Sequence, residues 1–180
     1  QGCSVLLERL SGGRPLLLVP GYFGCPMLCG QLQSGLLDSL KALPGHDYQV
    51  VCLSIDPRER PELARQKRRA ALSRGADWRF LTGTPNSIAR LCATIGFQFR
   101  YDRRSQQFAH PAGLVVLTPD GRVASYLFGI SFSRPALERA LQRAAAGRIE
   151  GKIDPVDYLC FQYDPASGRY SLQIWRAVQL

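Results

Sequence analysis

The sequence predicts an α/β fold in which helices cover both faces of one central sheet of mixed strand direction. Three observations carry that expectation. Short apolar runs and proline-opened helical segments alternate from residue 14 to residue 146. The first two apolar runs show no polar alternation, as in strands buried on both faces. The order β-α-β-α-β-α is then followed by a hairpin and one more helix, which mixes strand directions in a single sheet.

Each element has its own local reason. RPLLLVPGY (14–22) reads as a buried strand, and a helix follows from Pro26 to about Leu43. YQVVCLSI (48–55) is a second buried strand. Pro61 opens a helix to about Ser73, because proline suits the first helical turn. WRFLTG (78–83) is a short strand, and Pro85 opens a helix that stops at Gly96. FQFRY (97–101) and QQFAH (106–110) make a small hairpin around DRRS. GLVVLTPDGRVASYLFG (113–129) makes a larger one that turns on Pro119, Asp120 and Gly121. Ser133 as N-cap and Pro135 in the first turn begin a helix over 134–146. Near the end, YLCFQY (158–163) and RYSLQIW (169–175) flank DPASG and predict an extra C-terminal β-hairpin.

Length and composition narrow the function classes. A chain of 180 residues suits one domain that buries roughly 70% of its unfolded surface. We expect that domain to span 1–146, with 147–180 as an extension packed on it. The extension carries four basic and four acidic residues, so the body holds the net charge of +9. Apolar content of 46% and charged content of 21% exclude a disordered chain. The positive charge favours acidic partners or an anionic membrane surface. Nucleic acid is not expected, because the basic residues are scattered. The densest run, RQKRR (65–69), follows Asp56, Glu59 and Glu62 and reads as a solvated helix face. No apolar run approaches the ~18 residues needed to cross a bilayer. The start QGCSVLLERLSGGRP reads as a cut into a longer protein, so targeting information is expected to lie outside this chain.

Six cysteines are too few for a disulfide scaffold of this size. Cys52 and Cys92 sit in apolar patterns and read as buried thiols. Cys3 lies near a ragged end, and Cys160 reads as a core thiol or a redox partner. Cys25 and Cys29, in GYFGCPMLCG (21–30), are different. Pro26 at the first helical position makes Cys25 the N-cap, where the helix field stabilises a thiolate. Cys29 then projects from the same face one turn later, with the two Cα atoms ~6 Å apart. Such a pair can cross-link, exchange disulfides or hold a metal. A purely structural disulfide is the weaker reading, since the closed loop is tiny and gains little entropy.

A third ligand has two candidates. His46 sits in the polar loop LPGHDY and reads as a solvated residue. His110 sits in FAHPAGLVV, just before a strong apolar strand. In a sheet of this order, the loop into that strand lies beside the end of the first strand, where Cys25 emerges. Two thiolates and one imidazole suit three-coordinate Cu(I), or Cu(II) or zinc with an added ligand.

The runs LVPGYFGCPMLCG, VVCLSIDPRERPELA and FAHPAGLVVLTPDGRV, in this order and spacing, resemble the Sco/SenC family of copper-binding thioredoxin-fold proteins over roughly residues 14–146. The resemblance implies a thioredoxin-like fold and copper, as Cu(I) or Cu(II), held by Cys25, Cys29 and His110. It also implies that Asp56 lies near the metal; its plainer reading is a turn and N-cap residue before Pro57. Gly24 and Gly30 replace the histidine and proline common around the family's cysteine pair, a change that opens the site. Met27, the sole methionine, reads either as helix packing or as an accessory thioether contact.

What the resemblance implies for function is copper delivery outside the cytoplasm. The chain would be a metallochaperone, not an enzyme, anchored at the periplasmic or equivalent face of a respiratory membrane by a segment outside this sequence. Its partner would be the copper-binding subunit that carries the dinuclear copper centre of cytochrome c oxidase. A monomer is expected. Reduced cysteines would be required, so metal loading and disulfide state are coupled. The rival is a thiol-disulfide oxidoreductase, with Cys25 and Cys29 catalytic, that reduces the oxidase copper-site cysteines before metal arrives. The three-residue spacer and the facing histidine favour metal over exchange. A peroxiredoxin-like peroxidase is disfavoured, because Tyr22 stands where such an enzyme needs threonine.

Overall fold

The strand Leu16–Gly21 (β1) is buried at all six positions, so both faces of its backbone must meet apolar cover. The computed structural model, which describes residues 5–26, 28–43, 47–150, 163–164 and 169–170, places β1 at the centre of a five-stranded sheet. β1 pairs in parallel with Gln49–Ser54 (β2), from Leu16 opposite Gln49 to Gly21 opposite Ser54. β2 pairs in parallel with Arg79–Leu81 (β3). A separate two-stranded hairpin joins Arg100–Asp102 (β4) to Gln107–Ala109 (β5). On its other side β1 runs antiparallel to Gly113–Leu117 (β6), which pairs antiparallel with Val123–Phe128 (β7). The order β3-β2-β1-β6-β7 is the mixed sheet the sequence predicts.

Period-two alternation divides the core into two layers. Leu17, Val19, Val50, Cys52, Leu114 and Val116 face one side. That side is covered by the helices Leu28–Lys41 (α2), Pro61–Leu72 (α3) and Arg134–Ala145 (α5). Leu16, Leu18, Val51, Leu53, Val115 and Leu117 face the other. There the helix Pro85–Thr94 (α4) and the β4–β5 hairpin close the layer through Ile88, Cys92 and Phe108. Helices therefore lie on both faces.

The caps follow the sequence signals. The Thr84 hydroxyl accepts from the Ser87 amide ahead of Pro85, and Ser133 accepts likewise from Ala136. Gly96 takes the left-handed conformation, φ +65°, just past α4. One element has no sequence signal. Leu7–Ser11 (α1) starts after Leu6, which offers no side-chain cap, and ends at Gly12 with φ +56°. At the far end, Tyr163–Asp164 (β8) pairs antiparallel with Arg169–Tyr170 (β9), in the register of the hairpin predicted around DPASG; the rest of the two predicted strands lies outside the described residues. The expected packing of that extension on the domain lies outside the described residues.

Candidate metal centre

The site is assembled where β1 ends and β6 begins. Because these strands are antiparallel neighbours, the chain leaving Gly21 and the chain arriving at Gly113 share one end of the sheet. After Gly21 the backbone turns, with the Cys25 amide donating to the Tyr22 carbonyl at 3.3 Å. The helix begins only at Leu28. This corrects the expectation that Pro26 opens the helix and Cys25 caps it: Cys25 lies in the turn ahead of α2, and Cys29 sits in its first turn.

A carboxylate from the next loop explains the delay. Glu59 accepts from the Phe23 amide at 2.8 Å, the Gly24 amide at 2.6 Å and the Ser54 hydroxyl at 2.5 Å. Two consecutive amides and the end of β2 are thereby tied to one charged group, and charge-assisted bonds of this kind are the strong ones. The tie holds residues 22–25 in a turn instead of the first turn of a helix. Gly24 is suited to the place, since a Cβ there would stand 3.2 Å from Glu59 Oε1. Sequence reasoning missed this role because Glu59 reads as one more acidic residue beside a basic helix. The only signal was its position five residues after Ser54 at the strand end.

His110 faces the thiols from the other side. Its Nδ1 lies 2.9 Å from the Pro111 carbonyl oxygen, which can only accept, so Nδ1–H donates and Nε2 keeps a lone pair. Nε2 lies 3.7 Å from Cys29 Sγ. The ring is held between Tyr22, edge-on at 6.1 Å between centroids, and Phe97 at 5.8 Å. Burial pushes the imidazole pKa below its ordinary 6.5, against the opposing pull of the Pro111 carbonyl and the Cys25 sulfur. The ring is thus a neutral, oriented donor at neutral pH.

The two thiols are not equivalent. Cys29 is hydrogen-bonded to Cys25, and this bond, with burial and the nearby charge of Cys25, pushes the Cys29 thiol pKa far up. Tyr22 is hydrogen-bonded to Cys25 as well, and burial with that bond raises the phenol pKa. Tyr22 and Cys29 are thus both hydrogen-bonded to the Cys25 sulfur. Cys52 and Cys92 are buried, as expected. Burial alone raises both, Cys92 to about 11, which leaves them inert as nucleophiles.

Room for an ion depends on Gly21. A Cβ at this position would stand 3.3 Å from Cys29 Sγ and 4.0 Å from His110 Cε1, so the glycine keeps the space between the donors clear. A small d10 ion bonded at about 2.3 Å to sulfur and about 2.0 Å to imidazole separates two such donors by about 3.5 Å at a tetrahedral angle. The Cys29–His110 spacing matches this. The soft donor set also fits a copper cargo. Among the described residues no group of three or more His, Cys, Asp or Glu side chains is gathered as a ready metal cage. What is gathered is one close donor pair, Cys29 with His110, and Cys25 bonded to Cys29 beside it.

Asp56 is elsewhere. Its carboxylate is buried, 6% exposed, and accepts from the Arg58 amide at 2.9 Å and from the Arg58 guanidinium at 2.8 and 3.1 Å. Burial raises its pKa, but the Arg58 donors outweigh it and hold the carboxyl below its ordinary range. The turn reading of Asp56 describes it; the N-cap of α3 is Arg60, and Asp56 lines the neighbouring groove instead of the thiol pocket. Met27, His46, Cys3 and Cys160 lie outside the described residues.

Comparison with known proteins identifies the lineage. The SCO1/SenC family model matches residues 5–146. No curated protein matches the chain. Among solved structures, a protein of Aquifex aeolicus VF5 described as an electron transfer protein is 26% identical, with a TM-score of 0.69 over 78% of this chain and 83% of its own. ScoI of Bradyrhizobium japonicum, solved with copper bound, is 22% identical, with a TM-score of 0.58 over 77% and 87%. BsSco, described as a member of the Sco family of cytochrome c oxidase assembly proteins with a disulfide switch, is 20% identical, with a TM-score of 0.61 over 77% and 83%. The last two show the shared thioredoxin-like fold.

Proposed function

Since the chain belongs to the SCO1/SenC family, we propose that it carries copper through Cys25, Cys29 and His110 and delivers it to the copper-binding subunit of cytochrome c oxidase. The observation that carries this reading is the 3.7 Å approach of Cys29 Sγ to a His110 Nε2 whose lone pair is fixed outward by the Pro111 carbonyl. In it, the Cys25–Cys29 hydrogen bond is given up as both thiols release their protons to solvent and would bind the metal as thiolates. The recipient's thiolates then replace the ligands one at a time. The chain works outside the cytoplasm, held at the membrane by a segment beyond this sequence; no described helix is long and apolar enough to cross a bilayer.

The test is metal analysis of the reduced protein. We expect one copper per chain, and strong loss of affinity in Cys25→Ser, Cys29→Ser and His110→Ala. Undiminished copper in the double cysteine variant would sink the reading.

One observation favours a second reading, disulfide reduction. The Cys29 thiol, its pKa pushed far up, holds its proton beside Cys25, as a resolving thiol does beside an attacking one. The Cys25 thiolate would attack a partner disulfide and release one partner thiolate. Cys29, on losing its proton, would displace the second, leaving Cys25 and Cys29 joined and the partner reduced by two electrons. His110→Ala separates the two activities. Copper transfer should be lost and reduction of the recipient's disulfide nearly kept; the reverse pattern would make the chain a reductase.

A further inference from the structure

A second hollow lies against the thiol site. It encloses about 340 Å³ and is open on one side to solvent. Ile55 and Ile88, both buried, form its floor, and Phe99, Tyr101 and Phe108 form its wall. The wall is a ladder of rings: Phe99 to Phe108 at 5.9 Å and Tyr101 to Phe108 at 5.0 Å between centroids. Phe108 also lines the pocket of Cys25, Cys29 and His110, so one side chain divides the two spaces. Whatever fills the hollow therefore lies one ring away from the proposed copper ligands.

The lip of the hollow carries the Asp56–Arg58 ion pair, and the hairpin beside it is basic. Arg58 is locked by Asp56 and lies 5.0 Å from the Tyr101 ring centroid and 5.8 Å from that of Phe108. Its Nη1 donates to the Tyr101 oxygen at 3.2 Å, which leaves the Tyr101 O–H to donate to an incoming acceptor. The hairpin that forms the wall carries Arg100, Arg103 and Arg104 against a single acid, Asp102. Asp102 is turned onto its own loop, accepting from the Arg104 amide at 2.9 Å and the Ser105 hydroxyl at 2.8 Å. Three exposed arginines against one carboxylate leave the hairpin with a net positive charge beside an apolar hollow. An open, aromatic-walled hollow beside a basic hairpin fits a polypeptide that inserts one large apolar side chain and sets carboxylates against the hairpin arginines.

We infer that this groove docks the polypeptide that receives the copper, through an acidic segment whose one aromatic or large aliphatic side chain fills the space between Ile88 and Tyr101. The inference rests on the delivery reading and specifies where the recipient sits: with its apolar anchor on one side of Phe108 and its metal-accepting thiolates on the other. Charge brings the recipient in, and the anchor fixes the distance over which ligands are exchanged.

The experiment titrates the reduced, metal-free chain with the purified soluble copper-centre domain of cytochrome c oxidase, at low and at physiological salt. Copper content and copper affinity of each variant are measured separately. Tyr101→Glu, at a residue 36% exposed, should weaken docking at least about tenfold, the scale of losing a central aromatic anchor. Arg103→Glu with Arg104→Glu should weaken it severalfold and flatten its salt dependence. Both variants should hold copper as the wild type does, which shows that the fold and the thiol site are intact. Arg65→Glu with Arg69→Glu, on α3 across the sheet, should leave docking unchanged. Equal docking by the wild type and Tyr101→Glu overturns the inference, as does equal weakening by the α3 pair, or absence of docking by the wild type. Failure of the wild type to hold copper is a separate result and overturns the delivery reading itself.

Discussion

At Glu59 one carboxylate takes up the amides of Phe23 and Gly24 and the Ser54 hydroxyl, so the turn that bears Cys25 owes its shape to a residue on another loop. Glu59→Ala should cost about 2 kcal/mol, the scale of a hydrogen bond to a charged group, in urea unfolding of the reduced protein. Exchange of the Phe23 and Gly24 amides should quicken in the same variant. Gly21→Ala tests the space between the donors. Its Cβ presses on Cys29 Sγ from 3.3 Å, so copper affinity should fall about tenfold or more while thermal unfolding of the metal-free protein shifts little. His110 adds a pH dependence whose sign can be worked out. Its folded pKa is below 6.5, so as pH falls through that value the unfolded chain takes up a proton that the native imidazole refuses. Stability is lost below about pH 6.5 and is unaffected by this residue above it. Metal-free His110→Gln should lose less stability than the wild type between pH 7 and pH 5, measured by thermal unfolding. An equal decline in both would show that the native ring protonates freely.

Helix α2 shows how far elements are set by their neighbours. Gly35 lies mid-helix, where alanine is intrinsically better by about 1 kcal/mol. Yet a Cβ there would stand 2.1 Å from the Ile130 carbonyl oxygen, a backbone atom that cannot step aside. The clash outweighs the propensity, and Gly35→Ala should lower stability by about 1–3 kcal/mol by thermal unfolding. The same contrast explains what could be read in advance. The strands and the helices α3, α4 and α5 carry their signals locally, in unbroken apolar runs, opening prolines and the hydroxyl caps Thr84 and Ser133. So does the placement of His110, which follows from strand order. The start of α2 does not, because Pro26 promises a helix that the long-range tie to Glu59 postpones. The short helix α1 has no capping side chain at its N-terminus, and Asp56 turns to Arg58 through bonds that the string S-I-D-P does not disclose.

For the molecule as a whole, the proposed copper site and oxidation would act on the same few atoms. A ligand that binds only the native state stabilises it in proportion to the logarithm of its concentration over Kd. Copper(I) should therefore raise the melting temperature of the reduced protein. In air, Cys25 and Cys29 should join in a disulfide, detectable by thiol labelling and mass mapping, and the copper-induced rise should vanish until they are reduced. A rise that persists after oxidation would place the metal elsewhere.

The antiparallel pairing of β1 with β6 has one more consequence. Cys29 and His110 are 81 residues apart in sequence and meet only because those two strands lie side by side. A ribosome delivers the thiols long before the imidazole, and β6 cannot pair until most of the sheet has been synthesised. A half-made or unfolded chain therefore has two thiols with no imidazole held beside them. If the chain carries copper as proposed, retention of the metal becomes a report that the sheet is complete. Quality control of the carrier and loading of the carrier are then a single event.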